Sequence, residues 1–299
     1  MDGRFAPSPT GRLHLGNLRT ALLAWLFARA AGSRFVVRME DLDAVVSRPE
    51  HEAGQLADLA AIGVDWDGPV VHQSARSELY ADAIARLEAL EATYPCYCTR
   101  REIQAAASAP QGPQPDGAYP GTCRSLSASA RRQREREGRR PALRLRADGA
   151  VVTVVDRQLG ALTTTIDDVV LRRNDGTAAY NLAVVVDDQA QGITEVVRGD
   201  DLWPSTPRQA HLARLLGYAP VSYAHVPMVL APDGSRLAKR HGAVTLADRV
   251  SLGDTPDVVR RRLLHSVGLD DGASLLARFD PAQLPREPWT LTPSDCGSP

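Results

Sequence analysis

The sequence predicts an α/β fold in which an open sheet is split by an insertion and followed by a small, mostly helical C-terminal segment. Three observations predict it. The first forty residues read as strand, helix, strand. The composition changes between about Tyr94 and Arg146. Finally, Ser8, Glu40, Arg198 and Lys239 all fall just beyond predicted strand ends, where open α/β sheets gather their ligands.

The elements follow in order. Arg4 to Ala6 forms a short strand, and the run Pro7-Ser8-Pro9-Thr10-Gly11 is rich in turn formers. From Gly16 the pattern is helical, with Leu18, Leu22, Trp25 and Leu26 on one face and Gly32 as a C-terminal stop. Arg34 to Met39 reads as a buried strand ending at Glu40, and helical periodicity returns over 50–62 and 79–90. Residues 105–121, rich in Ala, Pro, Gly and Gln, read as an exposed loop. Short strands at 151–155, 161–166 and 169–172 suggest a meander. Strands at 195–197 and 226–230 precede Arg198 and the loop holding Lys239, and a helix over 256–267 leads to a Pro-rich tail. The expected segments are 1–94 and 195–245 as the two halves of the sheet domain, 95–194 as the insertion and 246–299 as the helical end.

Composition excludes several classes. With 43% hydrophobic and 24% charged residues in 299, the chain has a globular balance rather than a disordered one. Its longest apolar stretch, 21–31, is broken by Arg29 and too short for a bilayer; no membrane association is expected. The N-terminus lacks the apolar core of a secretory signal, and four cysteines do not make a disulfide scaffold, so a cytoplasmic protein is expected. A net charge of −1 means that a nucleic-acid partner needs a local patch. Such a patch exists at 131–146, where eight arginines face only Glu135 and Glu137; a solvated helix face and an RNA-phosphate contact both fit it. Of 35 basic residues all but Lys239 are arginine. A lone retained amine points to a task for a compact point charge rather than a planar fork.

The strongest chemical signal is the run from Pro7 to Asn17, where a turn, His14 and Gly16 open a helix. Helix N-termini attract phosphate, Gly16 allows close backbone approach, and His14 can donate to a phosphate oxygen. The full run RFAPSPTGRLHLGN from Arg4 resembles the first signature of the class I aminoacyl-tRNA synthetases of the glutamyl/glutaminyl group. Arg236-Leu237-Ala238-Lys239-Arg240 resembles their second, lysine-containing signature; it departs from the usual KMSKS but keeps the second lysine. Met39-Glu40-Asp41, Ala179-Tyr180-Asn181-Leu182-Ala183 and Val197-Arg198-Gly199-Asp200-Asp201 extend the likeness over roughly 3–267.

The resemblance implies a Rossmann-type catalytic domain that joins L-glutamate to ATP as an adenylate, with Mg2+ accompanying the ATP. His14, Gly16, Asn17 and Lys239 would bind ATP and stabilise the transition state. Glutamate brings two carboxylates and an ammonium, so Arg4 and Arg198 suit the carboxylates, Glu40 the ammonium, and Ser8 and Tyr180 supply hydroxyls. Which arginine takes which carboxylate stays open.

Cys96, Cys98 and Cys123 present three thiols on two turns, as a structural zinc site does. No histidine lies between His72 and His211, so Tyr119, Asp116 or Cys296 could complete it; the resemblance favours Tyr119 and one Zn2+. A full glutamyl-tRNA synthetase carries an anticodon-binding domain beyond the lysine loop, but here 60 residues follow Lys239. The chain therefore resembles the short branch of the family, expected to act as a monomer. That branch attaches glutamate to the queuosine base in the anticodon stem-loop of tRNA(Asp). Two readings compete: a minimal enzyme charging a tRNA 3′ end (or a nucleotidyltransferase), and a catalytically silent RNA-binding paralogue.

Overall fold

A computed structural model describes residues 1–99, 101–103, 119–237, 241, 242 and 244–296. Lys239, Asp116 and most of the 105–121 loop lie outside the described residues. The chain opens with β1 (Gly3–Phe5), α1 (Leu15–Ala30) and β2 (Phe35–Met39), and the two strands pair in parallel from Gly3↔Phe35. All five residues of β2 are buried, as expected of a strand covered on both faces. Helix α1 ends where Gly32 takes φ +63°, a conformation glycine adopts without strain. It is buried on more than the single predicted face: Leu15, Leu18, Leu22, Leu23, Leu26 and Phe27 are all in the core. Each such side chain contributes on the order of 1.5–3 kcal/mol by burial. Trp25, placed by periodicity on the buried face, is instead half-buried, and its Nε1 donates to Asp65 Oδ1 at 2.6 Å. After α2 (Pro49–Ala61), β3 (Val71–His72) adds to β2, and α3 (Ser77–Ala89) follows.

A second region begins with β4 (Thr93–Cys96), α4 (Ala128–Arg136) and β5 (Ala142–Leu145). The three strands predicted as one meander are divided between two sheets. β6 (Val151–Asp156) and β7 (Gly160–Thr165) form a hairpin, whereas β8 (Val170–Arg172) pairs antiparallel with β5. Between α5 (Tyr180–Ala190) and α6 (Thr206–Leu215) runs β9 (Glu195–Gly199), and β10 (Ser222–Val226) pairs with it in parallel. β6 joins the other side of β10 at Asp156↔Tyr223, giving the order β7-β6-β10-β9. β9 abuts β1: the amides of Thr194 and Glu195 donate to the Asp2 carbonyl at 3.0 and 3.1 Å. The two sheets therefore meet edge to edge, and their strand ends form one rim.

The strand predicted over 226–230 is displaced. Pro227 has no N–H to continue a ladder, so β10 stops at Val226 and the chain restarts as β11 (Val229–Leu230). Helices α7 (Leu246–Ser251), α8 (Pro256–His265) and α9 (Leu275–Arg278) then cover α1, and β12 (Trp289–Thr290) returns to pair with β11.

Candidate active site

The rim between β1 and β9 opens into a cavity of about 680 Å3. Eight of the nine residues predicted for the amino acid and the nucleotide line it: Arg4, Ser8, His14, Gly16, Asn17, Glu40, Tyr180 and Arg198. The ninth, Lys239, lies outside the described residues, although Arg236 and Leu237 of its loop also line the cavity.

The floor is built by the turn after β1. Gln55 Nε2 donates to the carbonyls of Ser8 (3.0 Å) and Gly11 (2.7 Å), and the Glu40 amide donates to the Pro7 carbonyl at 2.9 Å. Both strand ends are thereby fixed to one loop. His14 is the N-cap of α1: its Nδ1 accepts from the Asn17 amide, while Asn17 Oδ1 accepts from the His14 amide, both at 3.2 Å. This reciprocal cap satisfies two helix-end donors. It also fixes the imidazole, because an Nδ1 that accepts leaves the proton on Nε2. Burial lowers the His14 pKa, against the pull of Asp201, so the ring is a neutral Nε2–H donor at pH 7. Gly16 also has little room for a side chain. A Cβ there would stand 3.0 Å from His14 Nδ1 and 3.3 Å from Val229 Cβ, displacing the ring.

The first-turn amides of α1 are partly taken: Leu15 donates to Val244 (2.8 Å) and Asn17 to His14. The Gly16 amide has no such partner among the described residues, and Gly16 lines the cavity, so one backbone donor remains beside the imidazole and the helix dipole.

Around Arg4, Glu40 and Arg198 the charges are interlocked. Arg4 Nε pairs with Asp188 Oδ1 at 3.1 Å and its Nη1 donates to the Val197 carbonyl at 3.3 Å. Arg38 Nη1 pairs with the same Asp188 oxygen at 2.8 Å and its Nη2 reaches Glu40 Oε1 at 3.4 Å. Burial works against the Asp188 charge, but Arg4 and Arg38 outweigh it and hold the carboxyl below its ordinary range. Glu40 goes the other way: burial raises it, against Arg38 and Arg4. Tyr180, the first residue of α5, is 39% exposed and stands beside Glu40. Arg198 is held by His225 and Thr206, and its buried Nη1 has no hydrogen-bond partner among the described residues. Burying a charged donor unpaired costs more than about 1–3 kcal/mol, a cost that a bound anion would remove.

Sequence reasoning missed Arg38, Asp188, Asp156, His225 and Thr206. The only signal was Asp187-Asp188 inside an otherwise apolar helix, where a buried charge needs a partner. Asp187 finds its own in Gln73 (2.8 Å), Arg76 (2.6 Å) and Tyr80 (2.9 Å).

Beside this cavity the four residues predicted as metal ligands converge. The thiols of Cys96, Cys98 and Cys123 lie within 4.8 Å of one another, and the Tyr119 hydroxyl is 3.3 Å from Cys96 Sγ and 3.6 Å from Cys98 Sγ. Cys98 and Cys123 are 3.4 Å apart. Ligands about 2.0–2.3 Å from a tetrahedral ion stand about 3.3–3.8 Å from one another, so the spacing fits. Burial first, then the neighbouring thiols, push Cys98 up to about 12. A divalent cation would reverse that penalty. Cys296, the distant alternative ligand, is instead buried in the main core beside Gly242. Part of the arginine run braces this corner: Arg144 lies 3.7 Å over the Tyr119 ring, and Arg139 pairs with Glu102 at 3.0 Å. Helix α4 has no fully buried residue and carries Arg131, Arg132, Arg134 and Arg136, while Arg146 packs 5.2 Å over the Tyr94 ring.

A second cavity of about 1230 Å3 runs from the cysteine corner to the first. Arg139, Arg140, Arg144 and Arg173 line it, and it shares Ser8, Glu40 and Tyr180 with the first cavity.

Comparisons with known proteins show the family. The family model for tRNA synthetases class I (E and Q), catalytic domain, matches residues 1–274. The chain belongs to this family of ligases. A protein of Nocardia farcinica named glutamyl-Q tRNA(Asp) synthetase is 62% identical over 302 residues, covering 98% of this chain and 96% of its own. One of the same name from Symbiobacterium thermophilum is 49% identical, covering 96% and 94%. Among solved structures, a glutamate tRNA ligase from Elizabethkingia meningosepticum in complex with its amino acid superposes with a TM-score of 0.83. It is 26% identical and matched over 99% of this chain and 68% of that one.

Proposed function

We propose that the chain activates L-glutamate with ATP and transfers it to the queuosine base at the wobble position of tRNA(Asp), acting as a cytoplasmic monomer. The observation that carries this reading is the meeting of Arg4, Arg198 and Glu40 with the neutral His14 imidazole in one cavity. Two guanidiniums and one carboxylate match the two carboxylates and one ammonium of glutamate. Glutamine would leave one guanidinium facing a neutral amide.

In the first step a glutamate α-carboxylate oxygen attacks the α-phosphorus of ATP, and the bond to pyrophosphate breaks. His14 Nε2–H and the Lys239 ammonium are assigned to the charge that builds on the phosphate oxygens, with Mg2+ carried in on the nucleotide. The protein holds the reactants in line and places cations; no side chain becomes covalently attached. In the second step an acceptor hydroxyl attacks the acyl carbon of the adenylate and AMP leaves. The arginine-lined second cavity, which opens beside Glu40 and Tyr180, is the route assigned to the anticodon stem-loop. The corner of Cys96, Cys98, Tyr119 and Cys123 is assigned one structural Zn2+. Replacing Cys98 by Ser is expected to lower bound zinc, measured by metal analysis, from about one per chain to near zero. The thermal transition of the region would fall with it.

Transfer of labelled glutamate tests the acceptor. Label should appear on tRNA(Asp) that contains queuosine and be absent from the same tRNA lacking it. Label on the 3′ end of a tRNA(Glu) would favour the charging enzyme instead, a reading supported by the 40% identity to a glutamate–tRNA ligase of Acidithiobacillus ferrooxidans. No helix among the described residues is long and apolar enough to cross a membrane.

A further inference from the structure

Arg198 does not stand alone. Its Nε donates to His225 Nε2 at 3.0 Å and its Nη2 to Thr206 Oγ1 at 2.9 Å. These two nitrogens form the side-on edge of the guanidinium, so the plane is gripped along one edge and the Nη1 end is left for the cavity wall. A guanidinium N–H is always a donor, so His225 Nε2 must be the unprotonated nitrogen. The ring proton then sits on Nδ1, which faces Asp156 Oδ2 at 2.7 Å. Asp156 is itself fixed by the amides of Gln158 (2.8 Å), Leu159 (2.9 Å) and His225 (3.0 Å). His225 and Asp156 are wholly buried at the side chain, and Trp203 packs on the imidazole with ring centroids 4.9 Å apart.

We infer that Asp156 and His225 are positioning residues that set the plane of the Arg198 guanidinium and, through it, the affinity for the carboxylate it binds. Asp156 acts by dictating the tautomer: a carboxylate accepts from Nδ1–H and leaves Nε2 as the acceptor that Arg198 needs. The inference rests on the assignment of Arg198 to glutamate made above. It also gives the β6–β7 hairpin a part in the site, because Asp156 is the last residue of β6.

The test is Asp156→Asn. The two loop amides hold the new carbonyl oxygen where Oδ1 was, so the amide nitrogen faces His225 Nδ1 and moves the ring proton to Nε2, against the Arg198 N–H. This wrong-tautomer effect changes almost no volume. In glutamate-dependent ATP–pyrophosphate exchange the variant should raise KM for glutamate about tenfold or more and leave KM for ATP within about twofold. Nitrogen-15 spectra of the histidine rings should show the His225 proton moved from Nδ1 to Nε2. His225→Gln, whose carbonyl oxygen can stand in for Nε2, should recover much of the glutamate affinity that His225→Leu loses. A glutamate KM unchanged in folded Asp156→Asn with the tautomer switched, or equal losses in the Gln and Leu variants, would overturn the inference while leaving the functional reading intact. A wild-type protein without glutamate-dependent exchange would overturn that reading and the inference with it.

Discussion

Replacing His14 by Ala is expected to lower the turnover of glutamate activation by about 10²- to 10³-fold, the usual loss when one transition-state donor is removed. KM for glutamate should change little, since the role proposed for His14 is toward the nucleotide. The residue has two duties, however, and the substitution removes both. Nδ1 caps α1, and losing an N-cap costs about 0.5–2 kcal/mol of stability. Nε2–H is the donor that faces the cavity. His14→Asn separates them, because asparagine is a strong N-cap but lacks the reach of Nε2. The asparagine variant should regain the thermal midpoint of the wild type and still turn over about 10²-fold more slowly. If both variants were equally unstable and equally slow, the defect would be one of folding. Steady-state exchange kinetics beside a melting curve decide the matter.

Glu40→Gln is expected to raise KM for glutamate by about 10²-fold, corresponding to the roughly 3 kcal/mol lost when one member of a buried charge pair is removed. Glu40 has little water around it, its side chain being 11% exposed, so an incoming ammonium cannot be solvated instead. The same residue gives a pH dependence with a definite sign. Burial raises the Glu40 pKa, and only the ionised form holds an ammonium. Glutamate affinity should therefore be complete above that raised value and fall as the pH drops through it, beginning above the ordinary carboxylate range of about 4.3. The Glu40→Gln variant should lack this limb of the profile. A wild-type KM that stayed flat down to the ordinary carboxylate range would remove Glu40 from the ammonium site.

Much of this was legible in the sequence, for physical reasons. β1, α1 and β2 are local: each announces itself by a run of apolar residues at the right period and by the Pro, Gly and turn residues between them. The residues lining the cavity were legible because they follow strand ends, and the ends of β1, β2 and β9 share one rim where the two sheets abut, so Ser8, Glu40 and Arg198 could be grouped from strand positions alone. The illegible part is what lies behind them. Asp188 meets Arg4 across 184 positions and Arg38 across 150, and Asp156 meets His225 across 69. No local pattern encodes such pairings. The predicted meander failed for a related reason. A strand advertises its apolar faces but not its neighbour, and β8 found β5 rather than β7. The strand over 226–230 failed through a local cause in plain view, the missing N–H of Pro227.

The central claim is that one cavity takes a dicarboxylic amino acid and a nucleotide together. ATP–pyrophosphate exchange in the absence of tRNA, run in parallel with glutamate, glutamine and aspartate, tests it most directly. The account predicts exchange with glutamate and at most traces with the other two; exchange with none of them, or equal exchange with glutamine, would contradict it.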